Sequence, residues 1–153
     1  MKKIDIRAKI IKLRKENSFK NIQINFQPIF NILRKKKYKN KIIGGYYSYN
    51  YEVNVMPILE KFEKLNYIIT LPKIGKKFDM NFFVWSAKDP LNINKYGIPE
   101  PITNKIVYPD ILLVPLVAYD KDRNRIGYGG GFYDRYIKKI KKIKKILTIG
   151  LAF

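Results

Sequence analysis

The sequence predicts an α/β fold: three layers in the order αβα, with a central, mostly parallel sheet and helices on both faces. Three observations carry this expectation. The run Ile111 to Val117 is apolar at every position, as expected of a strand covered on both faces in a parallel sheet. Stretches of strand and helix character alternate along the chain. The second half then places an apolar strand, a glycine-rich loop and an amphipathic basic segment in succession. In open parallel sheets ligands sit at the carboxyl ends of the strands, and the glycine loop falls at such an end.

The elements follow in order. Residues 3–16 read as a helix with Ile6, Ile10 and Leu13 on one face. Lys3, Arg7 and Arg14 recur on the same helix at spacings of four and seven. Residues 18–38 read as helical, with Ser18 as cap and Pro28 as a break or new start. Lys41 to Tyr51 reads as a strand that ends in an aromatic, polar loop. Met56 to Leu65 fits a short helix, Tyr67 to Leu71 a strand stopped by Pro72, and Met80 to Trp85 a further strand. Asn92 to Pro101 is expected to be loop, marked by Gly97, Pro99 and Pro101. After the glycine loop, Tyr133 to Lys145 is a helix with Ile137, Ile140 and Ile143 on its sheet-packing face and lysines in solvent. Residues 146–153 are a last apolar strand. No repeat or linker divides the chain, so residues 1–153 are expected to form one domain.

Composition excludes several chemistries. The chain has no histidine and no cysteine. That removes the commonest general base, Ser-His triads, thiol nucleophiles, disulfides and most zinc sites. Carboxylates, Lys, Arg, Tyr, backbone dipoles or a bound cofactor must do the work. No apolar run approaches a membrane span and no signal peptide is evident, so a cytoplasmic protein is expected. The 32 Lys+Arg against 12 Asp+Glu give a net charge of +20. Such a field attracts polyanions of any kind, and the Ile-, Asn- and Lys-rich composition would raise it without any demand for binding.

The segment Arg125 to Asp134, Arg-Ile-Gly-Tyr-Gly-Gly-Gly-Phe-Tyr-Asp, is the chief functional signal. Glycines allow close approach and positive φ, and a glycine loop that opens a helix presents bare N–H groups to phosphate. Arg125 brings a phosphate-binding cation, and Asp134 a magnesium ligand or a carboxylate at the helix N-terminus.

Together with Pro109 to Asp120, this segment closely resembles the 5-formyltetrahydrofolate cyclo-ligase family. Lys3 to Arg7, with Arg14 beyond, is similar to that family's N-terminal basic helix, Tyr47 to Val53 to its folate-side loop, and Leu71-Pro72, Met80 and Tyr96 to Pro101 match in order. The resemblance implies ATP-dependent closure of 5-formyltetrahydrofolate, with or without a polyglutamate tail, to 5,10-methenyltetrahydrofolate, with release of ADP and phosphate. It implies ATP contacts from Lys3, Arg7, Arg125, Ile126, Gly127, Tyr128, Gly129, Gly130, Gly131, Phe132 and Tyr133. Arg125 faces the transferring charge. Folate contacts fall to Tyr47, Glu52 and Tyr128 to Phe132, and Asp134 holds Mg2+. Met80 and Trp85 line a pterin pocket or pack the core. Leu116 stands where the family usually has Gly, and is expected to tighten packing near the substrate.

The family also continues past the strand at Thr148 to Phe153, into a loop with a second magnesium Asp. The expectation is therefore a C-terminally short chain with weakened metal coordination, an open sheet edge, low stability or self-association, and reduced turnover. Two alternatives stand beside the ligase: a catalytically impaired folate- or nucleotide-binding relative, and a basic RNA-binding protein using the +20 charge and 14% aromatic content. Specific nucleic-acid or membrane partners are not expected, and the oligomeric state is left open.

Overall fold

A computed structural model describes residues 2–17, 22–38 and 41–153. The main sheet has six strands: β1 (Ile42–Gly44), β2 (Ile68–Ile74), β3 (Met80–Val84), β6 (Ile106–Val107), β7 (Ile111–Pro115) and β10 (Leu147–Leu151). Their order across the sheet is β10-β7-β1-β2-β3-β6. From β10 through β7 and β1 to β2 the pairing is parallel; β3 and β6 add antiparallel strands at one side. The sheet is thus mostly parallel, as expected, and β7 lies inside it between β10 and β1.

Alternation along β7 explains its unbroken apolar sequence. Ile111 and Leu113 point into a core with Ile43, Ile69 and Leu71, covered by α2 (Phe26–Lys35) and α3 (Met56–Lys64) through Leu33, Leu59 and Phe62. Leu112 and Val114 point the other way and meet Phe82, Tyr136 and Ile140, the last two on α4 (Phe132–Ile140). Each face carries its own apolar cluster, which is the three-layer arrangement the sequence predicts.

Several boundaries differ from the expected ones, for physical reasons. The helix expected over 18–38 begins at Phe26, where the Asn25 side chain accepts a hydrogen bond from the Gln27 N–H at 3.0 Å and Pro28 sits in the first turn. Ser18 lies outside the described residues. Strand β2 runs through Pro72 to Ile74, because β1 ends opposite Thr70 and Pro72 needs no donor on that side. The expected loop at 92–101 is a hairpin of β4 (Leu91–Ile93) and β5 (Pro99–Pro101). It is fastened by Glu100, which accepts from the Ile74 N–H at 2.9 Å and from Asn94 at 2.7 Å. A second small hairpin, β8 (Ala118–Tyr119) with β9 (Arg125–Ile126), delivers the chain to the glycine loop.

The helix expected to reach Lys145 stops at Ile140, and Ile143 is exposed. The chain turns there to enter β10, and Lys144 pins the turn by donating to the Asp110 carboxylate at 2.6 Å and the Tyr108 carbonyl at 3.2 Å. Asp110 in turn accepts from the Ile42 N–H at 2.9 Å, so one carboxylate ties the starts of β1 and β7 to the return from α4.

Helix α1 (Lys3–Glu16) departs most from its expected packing. Leu13 is 45% exposed, while Arg14 is the buried residue of the helix at 3%. The helix is anchored by guanidinium groups and not by an apolar stripe. Leu116, 6% exposed, packs over Gly150 of β10, where an added Cβ would meet its Cδ1 at 2.6 Å. Its bulk is accommodated by the neighbouring glycine and does not form the cavity wall described below.

Candidate active site

In chain order the sheet grows outward from β1 to β2 on one side, and β7 returns to the other side of β1. The carboxyl ends of β1 and β7 therefore diverge into a crevice, the position where open α/β sheets bind ligands. Tyr46 and Tyr47 leave β1 there, and Pro115 ends β7 there.

Two cavities open at this crevice. The smaller, about 260 Å³, is lined by Lys3, Arg7 and the whole segment Arg125 to Asp134. The larger, about 820 Å³, is lined mainly by aromatic and apolar groups, among them Tyr46, Tyr47, Ile74, Met80, Tyr96 and Phe132. Glu52, Pro115, Tyr128, Gly130, Phe132 and Tyr133 border both. The cavities are thus adjoining chambers with a common wall.

The glycine loop needs its glycines. Gly129 (φ 109°) and Gly131 (φ 66°) lie in the left-handed region that side chains avoid. Gly131 is also the N-cap of α4, so the first turn of that helix, where N–H groups lack intrahelical partners, borders the smaller cavity. Arg7 reaches the loop from α1 and donates from Nε to the Gly127 carbonyl at 2.8 Å. Residues more than a hundred positions apart in the chain thereby meet at one anion-favouring surface.

Arg125 pairs with the Asp134 carboxylate across the loop. Asp134 belongs to the first turn of α4, its side chain 75% exposed, and it makes no cap hydrogen bond. Among the described residues, no group of three or more His, Cys, Asp or Glu gathers to hold a metal. Magnesium, however, keeps several waters and commonly binds through one or two carboxylates plus substrate phosphates. An exposed carboxylate at the lip of a phosphate-sized cavity fits that mode.

Arg14 lies behind the common wall. It donates to the Tyr128 hydroxyl at 2.8 Å and to the carbonyls of Leu116 (2.9 Å), Val117 (2.8 Å) and Tyr51 (3.3 Å). These bonds join α1, the end of β7, the loop carrying Glu52 and the glycine loop. Burial pushes the Tyr128 hydroxyl up to about 12, opposed by the Arg14 charge. Burial, with the Glu52 charge adding to it, also raises Tyr46 and Tyr133 well above the ordinary tyrosine value. These phenols stay protonated. Glu52 is half-buried, and burial pushes its carboxyl up to about 7 against the pull of the Tyr49 N–H and Arg14.

Of the residues expected at the nucleotide, Lys3, Arg7 and Arg125 through Tyr133 all line the smaller cavity, with Asp134 beside them. Of those expected at folate, Tyr47, Glu52, Tyr128, Gly130 and Phe132 line the larger one; Gly129 and Gly131 face only the smaller. Met80 lines the larger cavity, whereas Trp85 belongs to the core on the α2–α3 face. Sequence reasoning missed Arg14 as a buried anchor, and missed the turn at Lys77 and Phe78, Lys95 and Arg135 as cavity walls. Nothing in their spacing separates them from surface residues; only the fold brings them to the crevice.

The crevice of the parallel sheet thus sets a cationic glycine loop beside an aromatic chamber. Residues 1–153 match the model of the 5-formyltetrahydrofolate cyclo-ligase family, and the chain belongs to that family. It is 32% identical to the 5-formyltetrahydrofolate cyclo-ligase of Haemophilus influenzae, over 97% of this chain and 80% of that protein. The structure of the Aquifex aeolicus 5,10-methenyltetrahydrofolate synthetase superposes with a TM-score of 0.75 at 26% identity, covering 100% of this chain and 78% of that one. The Mycoplasma pneumoniae 5,10-methenyltetrahydrofolate synthetase shares the fold, with a TM-score of 0.61 at 22% identity over 100% of this chain and 90% of that one. The activity of the family is ATP-dependent cyclisation of 5-formyltetrahydrofolate to 5,10-methenyltetrahydrofolate, and the chain is a ligase of folate one-carbon metabolism. Among the described residues no helix is long and apolar enough to cross a membrane.

Proposed function

We infer that residues 1–153 form one catalytic domain in which the smaller cavity takes the triphosphate of ATP and the larger takes the pterin of 5-formyltetrahydrofolate. The observation that carries this assignment is the common wall of the two cavities, which would bring the γ-phosphate and the formyl group together. Lys3, Arg7, Arg125 and the free N–H groups at the start of α4 surround the phosphate-sized chamber. Transfer of a phosphoryl group depends on positioning and charge stabilisation, which these groups supply without histidine or cysteine.

A formamide oxygen is a poor leaving group. Its attack on the γ-phosphorus, with departure of ADP, makes it a good one. The neighbouring N10 amine then closes the ring on the formyl carbon and phosphate leaves. Tyr47, Met80 and Phe132 offer flat and apolar contacts for the pterin. Lys77 and Lys95, further along the same cavity, carry charges suited to the carboxylates of a glutamate or polyglutamate tail. Asp134 would hold Mg2+ together with phosphate oxygens, and the ion would neutralise phosphate charge there. ATP is an intracellular substrate, which supports a cytoplasmic enzyme.

The test is conversion of 5-formyltetrahydrofolate followed by methenyl absorbance with and without ATP. Product only in the presence of ATP is expected; no product, or ATP-independent product, rejects the assignment.

A further inference from the structure

Ring closure on the phosphorylated formyl group, the reading argued in the preceding subsection, requires a proton acceptor. N10 of the substrate is a secondary amine, and it must shed its proton to become part of the methenyl bridge. Histidine is absent from the chain.

The reacting carbon is attached to the pterin and receives its phosphate from the nucleotide, so it belongs where the two cavities meet. Six residues border both cavities, and Glu52 is the one carboxylate among them. The other carboxylates nearby are occupied or remote. Asp134 pairs with Arg125 at the outer lip. Glu100 is bound to the Ile74 N–H and to Asn94 on the far wall. The phenols of Tyr46, Tyr128 and Tyr133 face Glu52 from the loop after β1, the glycine loop and α4, and burial keeps them protonated.

Glu52 is steered without being neutralised. Its Oε2 accepts from the Tyr49 N–H at 2.9 Å. The Arg14 guanidinium acts on it from α1, yet donates its hydrogen bonds to neutral oxygens. Lys3 and Arg7 share the smaller cavity with it, and among the described residues none of the salt bridges involves Glu52.

We propose that Glu52 is the base of the ring-closing step. As the N10 lone pair forms the C–N bond to the formyl carbon, the N10 proton passes to the Glu52 carboxylate. The C–O bond to phosphate then breaks with its electron pair on the phosphate oxygen, and Glu52 returns the proton to that leaving group. One carboxylate thus accepts and donates in a single turnover, with no net proton gained. Its carboxyl, pushed up to about 7 by burial, lies near the operating pH, where such transfers are most efficient.

The experiment compares the parent with Glu52→Gln, using ATP, magnesium and 5-formyltetrahydrofolate. ADP is read by rapid quench and methenyl product by absorbance, across neutral pH. For Glu52→Gln, methenyl formation is expected to fall on the order of a hundredfold or more. First-turnover ADP release, read at saturating folate because Glu52 also borders the folate chamber, should stay within about threefold of the parent. The parent's rise in kcat through about pH 7 should vanish in the variant. Glu52→Asp keeps a carboxylate and should restore that rise at a reduced rate. Loss of ADP release together with product, a raised KM at unchanged kcat, or persistence of the pH-dependent rise in Glu52→Gln each overturns the proposal. Failure of the underlying ligase assignment is distinct, because it shows as absence of product from the parent.

Discussion

Replacing Arg14 by lysine tests how the active site is held together. The side chain is 3% exposed. Its guanidinium makes four hydrogen bonds, of 2.8 Å to Tyr128, 2.8 Å to Val117, 2.9 Å to Leu116 and 3.3 Å to Tyr51. It also lies 5.1 Å from the centre of the Phe153 ring. A lysine ammonium lacks the planar fork that spans these directions. If two of the bonds are lost, at roughly 1.5–3 kcal/mol each for a charged donor, the cost is about 3–6 kcal/mol. At about 2–4 °C per kcal/mol for a chain of this size, the melting temperature should drop by about 6–24 °C.

Function should suffer unequally. Tyr128 and the Tyr51 carbonyl next to Glu52 both lose an anchor, so KM for folate should rise more than KM for ATP. Thermal melts, urea titration and the two KM values measure these effects. Crossing Arg14→Lys with Tyr128→Phe should reveal a coupling of about 1–2 kcal/mol, as expected for contacting residues. A melting temperature within about 3 °C of the parent, roughly 1 kcal/mol, would refute the idea that this buried fork holds the site.

The other predictions are narrower. Gly129→Ala forces a side chain into φ 109° with ordinary contact to Arg7 at 3.5 Å; the strain, about 1–3 kcal/mol, should weaken ATP binding about tenfold by calorimetry and leave folate affinity nearly unchanged. Asp134→Asn should weaken the magnesium-dependent part of ATP binding while the fold persists, because the side chain is exposed and makes no cap; equal ATP affinity with and without magnesium in the parent would reject the metal role. Burial pushes Asp110 up, but the Lys144 contact and the Ile42 N–H outweigh it and leave its carboxyl below the ordinary value. Its contribution to stability is therefore present above the unfolded carboxylate pKa and lost as pH falls through the folded one, so Asp110→Asn should flatten the acid side of the stability–pH curve and cost about 1 kcal/mol at neutral pH.

Much of the fold can be read from local pattern. The doubly apolar run at Ile111 to Val117 requires cover on both faces, and both faces are covered. The glycine loop and the start of α4 follow from composition, since Gly129 and Gly131 adopt a φ that other residues resist. The absence of histidine and cysteine restricts the chemistry before any coordinate is known. The order of motifs from Lys3 to Asp134 is specific enough to carry a family resemblance.

Other features depend on three-dimensional context. Pro72 reads as a strand stop, yet β2 passes through it, because whether a missing donor matters depends on which neighbour strand is present. Leu13 reads as part of the apolar face of α1, yet it is exposed and Arg14 is the buried residue, because three carbonyls and a phenol converge where α1 crosses the end of β7. The sequence by itself determined the buried central strand, the glycine loop and the permitted chemistry, since these follow from residues near one another along the chain. Only the tertiary structure decided that Arg7 meets Gly127, that Glu52 stands between two chambers, and that Trp85 is core while Met80 is wall. Those facts arise from long-range parallel pairing, whose register sets distances that no local pattern encodes.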